Sequence, residues 1–258
     1  MGTPVKVTFL GTGTSQGVPL IGCTCEVCTS TDSKDKRLRS SIQVEVGDKV
    51  FVIDSGPDFR QQMLRAGTKR LDALIFTHSH KDHIAGMDDI RAFNFHSGRA
   101  VDVYANNQVQ EALRREFQYI FAEESYPGIP KINLHTIDKS PFFIEDTEII
   151  PIEVIHYKMP VLGFRIGNFS YITDANFISE EEKLKLKGTK TLVLNALRKE
   201  KHISHFTLDE AIALAKEIGA EQTYFTHMSH QIGLNETVNK SLPEGMSLAW
   251  DGLQIIVD

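Results

Sequence analysis

An apolar strand that runs directly into a cluster of metal-binding side chains constrains this chain more than any other feature. The segment LDALIFTH (71–78) is apolar almost to its end, which is typical of a strand buried on both faces of a sheet. The chain continues as SHKDH, so four potential ligands fall within six residues: His78, His80, Asp82 and His83. The first two alternate by two, so an extended backbone can direct both at one ion. The other two come one turn later and can face a second ion. The spacing predicts two ions a few ångström apart.

Three further candidate ligands follow apolar strands later in the chain. His156 comes after EVI, Asp174 after YIT and His227 after YFT. Any one of them alone would more often be a hydrogen-bonded core or surface residue. Together with the first four they predict a metal site. Neutral imidazole and carboxylate suit Zn, Mn or Fe, and the absence of a thiolate from this set leaves the choice among these metals open.

Strand and helix patterns alternate along the whole chain. Strands are predicted over 5–11, 41–47, 49–56, 71–78, 147–156, 161–167, 169–174, 191–196, 221–227 and 246–258. Helices are predicted over 57–67, 106–121, 179–188 and 207–220. No repeat of fixed period and no long linker divides the sequence, so we expect one domain over 1–258. Two sheets packed face to face with helices outside satisfy this pattern.

Composition excludes several classes of protein. The chain is 41% hydrophobic and carries a formal charge of −6, which is ordinary for a globular protein and gives no overall basic footprint for nucleic acid. No apolar run approaches the roughly 20 residues of a membrane helix, and the first residues lack the pattern of a signal peptide. We therefore expect a cytoplasmic protein with no membrane partner.

The segment THSHKDH (77–83), followed by His156, Asp174 and His227, resembles the HxHxDH signature of the metallo-β-lactamase-fold hydrolases over essentially the whole chain. The resemblance implies an α/β fold, an αββα sandwich of two mixed β-sheets with helices outside. It implies that the first ion is held by His78, His80 and His156, the second by Asp82, His83 and His227, and that Asp174 bridges them. Two such ions lower the pKa of a bridging water to give a hydroxide and stabilise charge on a phosphoryl oxygen. We also expect turnover to require Asp82, which we predict to be catalytic.

Three cysteines within six residues form a second motif. Their odd number argues against a disulfide framework. The opening GTGTSQGVP (11–19) and the CTCEVC (23–28) that follows resemble the branch containing the cyclic phosphodiesterase of phosphonate degradation. In that branch CxCxxC and a His three residues after the active-site His bind a structural zinc, which here implies Cys23, Cys25, Cys28 and His230 as its ligands. A redox pair or inert core thiols are the alternatives, and three cysteines so close together favour zinc.

The segment HFTLDEA (205–211) resembles the HxTxxEA element that the phosphodiesterase branch shares with tRNase Z. That resemblance implies that His205 is catalytic, either as a general acid or as a phosphate ligand. A residue with an ordinary hydrogen bond at the start of a helix is an equally good interpretation. Asn195, Arg198 and Arg39 have side chains suited to phosphate, but plain surface positions are favoured for them. We expect His96, His135 and His202 to be structural.

These motifs favour a dinuclear metal-dependent phosphodiesterase that acts on a small cyclic phosphate or nucleotide. Its cofactors would be two divalent ions, Zn or Mn with Fe left open, and one structural Zn. Processing of the tRNA 3′ end is the first alternative, and the negative charge and the lack of a long basic arm count against it. A non-hydrolytic metal-binding protein of cofactor biosynthesis is the second, and the complete ligand set counts against it. Thioester or lactam hydrolysis has no specific support. Related enzymes are often dimers, so a homodimer stays open.

Overall fold

Fifteen strands and eight α-helices make up the computed structural model, which describes residues 3–122 and 127–258. The strands are β1 (Val5–Gly11), β2 (Ser41–Val46), β3 (Lys49–Ile53), β4 (Ala73–Ile75), β5 (Val101–Ala105), β6 (Ile132–Thr136), β7 (Phe142–Ile144), β8 (Thr147–His156), β9 (Met159–Ile166), β10 (Phe169–Ile172), β11 (Phe177–Ile178), β12 (Thr191–Asn195), β13 (Gln222–Thr226), β14 (Met246–Leu248) and β15 (Gln254–Val257). The helices are α1 (Glu26–Thr29), α2 (Phe59–Ala66), α3 (Lys81–Ile84), α4 (Arg91–Ser97), α5 (Asn107–Glu116), α6 (Glu180–Lys185), α7 (Leu208–Ile218) and α8 (Asn235–Asn239).

The strands form two mixed sheets. The first has the order β15-β1-β2-β3-β4-β5-β6, with antiparallel pairs up to β3 and parallel pairs from β3 to β6. The second has the order β11-β8-β9-β10-β12-β13-β14, with β7 paired to β8, and it becomes parallel from β10 onward. The prediction of two mixed sheets is confirmed.

Three apolar layers hold the sheets and helices together. One layer lies between the sheets, where Phe51 and Ile75 of the first sheet join Phe164 and Val193 of the second in one buried cluster. The outer face of the first sheet packs on α2 and α5, and the outer face of the second packs on α7. The order helix, sheet, sheet, helix is the predicted αββα sandwich.

Central strands are apolar throughout because both of their faces are covered. In β4, Ala73 and Ile75 face the other sheet, while Leu74 between them packs with the helices outside. In β12, Val193 faces inward and Leu192 faces outward in the same way. Successive side chains of a strand point to opposite faces, so two covered faces demand a continuous apolar run. This is the physical basis of the LDALIF pattern.

Three predicted elements differ most from the structure in extent. The predicted strand 71–78 is a regular strand only over β4, and His78 lies in the loop that follows it. The predicted helix 106–121 stops at α5, because Phe117 leaves the helical region (φ −122°, ψ 47°) and a short 3₁₀ turn follows. The predicted strand 246–258 is two strands in different sheets, since β14 pairs with β13 and β15 pairs with β1. The chain crosses between the sheets through a turn at Gly252, whose φ of 93° favours glycine.

Within the part of the chain that the structure describes, no helix is both long enough and apolar enough to cross a bilayer.

Candidate metal centre

The ends of strands from both sheets supply the side chains of one cluster. His78 follows β4, His156 ends β8, Asp174 follows β10 and His227 follows β13. The backbones of Asp174 and His227 lie in the left-handed region, with φ of 54° and 56°. Non-glycine residues rarely adopt this conformation, and they concentrate at functional sites when they do. The sharp change of direction ends each strand at the cluster.

All seven predicted ligands come together at this edge of the two sheets. Their ligand atoms form two groups, each with all atoms within 4.8 Å of one another: His78, His80 and His156 in one, and Asp82, His83 and His227 in the other. Asp174 forms a further group of this kind with His78 and His83, and another with His156 and His205. A side chain shared by both sets in this way is suited to bridging two ions. The ligand assignment itself stays a prediction.

A buried carboxylate that sequence analysis missed, Asp54, orients two of these histidines. It accepts hydrogen bonds from Nδ1 of His83 (2.7 Å) and from the backbone N and the hydroxyl of Thr77 (2.9 and 2.8 Å). Because the Thr77 hydroxyl donates to Asp54, it accepts from Nδ1 of His78 at 2.9 Å. Both rings therefore carry a proton on Nδ1 and direct Nε2 into the cluster, an arrangement common around protein-bound metals. The sequence does contain a signal for Asp54, because this acid follows an apolar strand. The same pattern identified Asp174.

His156 is oriented in the same way by the backbone. Its Nδ1 donates to the carbonyl oxygen of Ser204 at 2.8 Å, which again leaves Nε2 as the free nitrogen. Nε2 of His78 lies 3.0 Å from Nδ1 of His80, so nitrogens of the first group already converge.

A buried nitrogen that faces two carboxylates but makes no hydrogen bond tests whether the residues fit a metal. Nε2 of His83 is fully buried and has no hydrogen-bond partner among the described residues. It lies 3.2 Å from Oδ2 of Asp82 and 3.3 Å from Oδ2 of Asp174. A buried polar atom left without a partner is costly, and a cation shared by these three side chains would satisfy it. The donor set therefore fits divalent metal ions.

The electrostatics of the cluster favour the protonation states that bind metal. Burial opposes ionisation of Asp174 and Asp82, yet the neighbouring histidines hold the pKa of both carboxyls well below the usual range. Burial lowers the pKa of His227 to about 3 and also lowers that of His78. At neutral pH the carboxylates are charged and these two imidazoles are neutral.

His83 is the exception in this cluster. Burial alone would lower its pKa, but the carboxylates of Asp82, Asp174 and Asp54 raise it well above the usual range. A metal ion bound at Nε2 must displace the proton that these carboxylates attract, so metal affinity on this side of the cluster should increase with pH.

The cysteine motif forms a second group. Cys23, Cys25, Cys28 and His230 place their ligand atoms within 4.8 Å of one another, and all three cysteines are free. Nδ1 of His230 lies 3.2 Å from Sγ of Cys25 and 3.5 Å from Sγ of Cys23. The hydrogen bond with His230 lowers the pKa of Cys25 to about 6, whereas burial raises that of Cys28 to about 11. Three sulfurs and one imidazole nitrogen form a closed set of four donors.

His205 joins the first cluster, whereas the three candidate phosphate contacts are already engaged elsewhere. Nε2 of His205 lies 3.0 Å from Oδ1 of Asp174, and its Nδ1 lies 3.0 Å from the hydroxyl of Ser204. The remaining side chains have other partners: Asn195 bonds the backbone of Ala175, Arg39 pairs with Asp58, and Arg198 bonds Gln231 and nearby carbonyls. The expectation of a plain surface position is wrong for Asn195, whose side chain is fully buried because it bonds the backbone of Ala175 inside the fold.

The three histidines expected to be structural have ordinary partners. His96 bonds the carbonyl of Ala92, and His135 lies beside Asp102. His202 contacts Ser204 and His205 at the border of the metal centre.

Comparison with known proteins identifies the family. Residues 49–228 match the model of the beta-lactamase superfamily domain, so the chain belongs to that superfamily and has the metallo-β-lactamase fold. A solved structure described as a new diphosphatase from the PhnP family is 40% identical, with a TM-score of 0.93 over 100% of this chain and 98% of that one. The resemblance to the metallo-β-lactamase-fold hydrolases and to the phosphodiesterase branch is confirmed.

Two other relatives differ more from this chain, one in its length and the other in its sequence. An octanoyltransferase of Porphyromonas gingivalis is 38% identical over 258 residues, covering 98% of this chain and 52% of the relative. This chain thus spans about half the length of that protein. Zinc-bound PqqB from Methylobacterium extorquens is 19% identical, with a TM-score of 0.77 over 97% of this chain and 99% of that one, and shares the fold. The fold and the similarity to a diphosphatase support a metal-dependent hydrolase.

Proposed function

We propose that this protein hydrolyses a P–O bond in a small phosphoric ester or diphosphate, at a centre of two divalent metal ions. The position of Asp174 carries the proposal, because its carboxylate lies within 4.8 Å of ligand atoms from both predicted sets. The similarity to a diphosphatase of the PhnP family at 40% identity adds support for phosphate chemistry. The octanoyltransferase similarity covers only about half of that relative and does not indicate which of its activities this chain would share.

The proposed ligands are those of the two groups. His78, His80 and His156 would hold one ion, Asp82, His83 and His227 would hold the other, and Asp174 would be shared by both sets. Two divalent ions at this position supply a nucleophile from water at neutral pH and positive charge for the phosphoryl oxygens. Asp54 and the Ser204 carbonyl keep the imidazole rings oriented through their hydrogen bonds to Nδ1.

The departing oxygen needs a proton, and His205 is placed to provide one. It stands beside Asp174 with Nε2 at 3.0 Å from the carboxylate, and the hydroxyl of Ser204 contacts its other nitrogen. In our proposal His205 donates from Nε2 to the leaving group, and Asp174 holds that proton in place before substrate binds.

We assign the cysteine group to a structural zinc. Its four donors leave no open position for substrate, which is typical of structural sites. This ion would join α1 to the segment that contains His230, close to the strand end that carries His227.

A substrate panel tests the function. The metal-loaded protein is assayed with bis-p-nitrophenyl phosphate, a nucleoside 2′,3′-cyclic phosphate, a dinucleoside diphosphate, precursor tRNA and an octanoyl thioester. We expect turnover of at least one small phosphate compound, loss of activity on chelation and recovery with Mn or Zn.

His78→Ala should abolish that turnover, and His96→Ala should leave it unchanged, because His96 lies outside the cluster and bonds only a carbonyl of its own helix among the described residues. Cleavage of precursor tRNA alone would favour 3′-end processing, and turnover of the thioester alone would favour a thioesterase. Metal binding without any turnover would favour a non-hydrolytic binding protein. Each of these outcomes contradicts the proposal.

A further inference from the structure

A cavity beside the metal centre has an apolar wall that hydrolysis of phosphate does not require. The cavity has a volume of about 540 Å³, and His80 and His156 form part of its lining. Tyr157 and Ile203 also line it, and they remain 55% and 72% exposed. Single exposed apolar side chains are normal on protein surfaces. Two that line one cavity beside candidate metal ligands provide a surface for an apolar part of a ligand.

Tyr157 occupies a backbone position that tyrosine rarely takes. It is the first residue of the two-residue turn between β8 and β9, and its φ is 60°. Turns of this kind favour Asn, Asp or Gly, because those residues tolerate a positive φ. Residues held in such conformations concentrate at ligand-binding sites. The backbone of Tyr157 is therefore strained, and its aromatic ring lines the cavity.

Hydrogen bonds fix the tip of this hairpin relative to the metal centre. The backbone N of Tyr157 donates to Oδ1 of Asn176 at 2.7 Å, and the backbone N of Asn176 donates to the carbonyl of Ile155 at 2.8 Å. Asn176 lies two residues after Asp174 in the chain. The turn is therefore tied to the segment that supplies the proposed bridging ligand.

The Ile203 side of the cavity is fixed to the same metal ligand. Ile203 precedes Ser204, whose carbonyl accepts the hydrogen bond from Nδ1 of His156 at 2.8 Å. Tyr157 follows His156 directly in the chain. The backbone positions that carry both apolar side chains are thus fixed relative to His156.

The charge of the cavity suits an anion. Lys158 lines it with its Nζ 5.3 Å from the centre of the Tyr157 ring. No acidic side chain is among the described residues that line it. A ligand that fits these features has a phosphate for the metal side, further negative charge near Lys158 and a flat ring for Tyr157.

We propose that Tyr157 determines specificity by stacking on the heteroaromatic base of a nucleotide whose phosphate lies beside His80 and His156. Ile203 provides a second apolar contact, and Lys158 attracts the negative charge of the ligand. This inference rests on the proposed function and deepens it, because it names nucleotides as the substrate class. Stacking on aromatic side chains tolerates any base, so the site would select for the presence of a base rather than for its identity.

Binding to two ligands that differ only by the base tests the inference. Titration calorimetry of the metal-loaded protein compares adenosine 5′-monophosphate with ribose 5-phosphate. We expect the nucleotide to bind about tenfold more tightly, within the range that base–aromatic stacking provides. Tyr157→Ala should reduce this ratio to about one and leave the affinity for ribose 5-phosphate unchanged, whereas Tyr157→Phe should retain the ratio. Phe143→Ala is the matched control, because Phe143 is 60% exposed and does not line this cavity.

Equal affinity of the two ligands for the wild type would overturn the inference. An equal loss of both affinities in Tyr157→Ala would also overturn it, because that result indicates a role in hairpin structure. The measurement does not depend on turnover. A tenfold preference in a protein that hydrolyses nothing in the panel would support the base site and contradict only the proposed function. Phosphodiester turnover without a preference for the nucleotide would support the proposed function and contradict the base site.

Discussion

Three strained aspartate and histidine residues show how single positions build the site. Asp54, Asp174 and His227 all have φ between 54° and 65°, and each follows a strand that ends at the metal centre. The chemistry of Asp174 and His227 was predictable, because their side chains are metal ligands by type. The role of Asp54 was not, since it acts through hydrogen bonds to Thr77 and His83 that only the packed sheets bring within reach.

The role of His205 can be tested through the leaving group of the substrate. A general acid matters most when the departing alkoxide is strongly basic and least for p-nitrophenolate. We expect His205→Ala to lower kcat by about 100-fold or more for an alkyl leaving group and by less than about tenfold for bis-p-nitrophenyl phosphate. The measurement is kcat at equal metal content. Equal losses for both substrates would indicate phosphate binding instead.

The reactivity of Cys25 should depend on pH in protein from which metal has been removed. Its pKa of about 6 means that the thiolate predominates at pH 7 and that the thiol form takes over as the pH falls below 6. Iodoacetamide should therefore modify Cys25 rapidly at pH 7 and slowly at pH 5, and modify Cys28, with a pKa of about 11, far more slowly.

Mass spectrometry of the alkylated peptides measures both rates. His230→Ala removes the hydrogen bond that lowers the pKa of Cys25 and should move the midpoint upward. Added zinc should protect all three cysteines. A midpoint near 9 in the wild type would contradict the geometry of the cluster.

At the scale of elements, the HxTxxEA segment combines a site residue with a helix cap. Thr207 and Glu210 form a capping box at the start of α7: the Glu210 side chain accepts from the Thr207 backbone N at 2.9 Å, and the Thr207 hydroxyl accepts from the Glu210 backbone N at 3.2 Å. The helix cap is Thr207, two residues after His205. The box therefore fixes the backbone next to that histidine. Two residues of the motif therefore have a structural explanation.

Loss of this cap should affect stability more than chemistry. Thr207→Ala should lower the free energy of unfolding by about 1 kcal/mol and leave kcat nearly unchanged. Ser179→Ala is the matched control for the loss of a helix cap. Ser179 caps α6, and its hydroxyl accepts from the Glu182 backbone N at 3.2 Å. Urea denaturation and steady-state kinetics measure the two effects. A large loss of kcat without a loss of stability would show that Thr207 acts on the substrate.

Long apolar patterns were the most predictable elements. The predicted strand 147–156 matches β8 in both of its ends, and the predicted helix 207–220 contains α7. Elements such as α4, β6 and β11 had no prediction, because they are short or half-exposed and owe their form to neighbours. The change of sheet within 246–258 depends on pairing with β1 and β13, which a local pattern does not record.

At the scale of the whole molecule, Asp251 joins segments that are far apart in the chain. It lies in the turn between β14 and β15 and accepts hydrogen bonds from the backbone N and hydroxyl of Thr12, at 2.9 and 2.8 Å. It also accepts from the backbone N of Leu38 at 2.8 Å and pairs with Arg65 at 3.2 Å. The contacts connect the glycine-rich loop after β1, the segment before β2 and α2.

Removal of this carboxylate should destabilise the fold. Asp251→Ala leaves two backbone N–H groups without partners and should lower the free energy of unfolding by about 3 kcal/mol. Asp138→Ala is the control, because Asp138 is exposed and accepts locally from Ser140, and it should cost less than about 1 kcal/mol. Chemical denaturation measures both variants. Similar values for the two would contradict the linking role of Asp251.

The number of metal ions per chain tests the central claim most directly. Elemental analysis of the metal-reconstituted wild type should find about three ions per chain, two at the strand ends and one at the cysteines. Asp174→Ala should lose ions only from the strand-end site and keep zinc at Cys23, Cys25, Cys28 and His230. Cys25→Ala should do the opposite and keep the two ions of the strand-end site. A wild type that holds a single ion, and loses it in Cys25→Ala, would contradict the dinuclear centre.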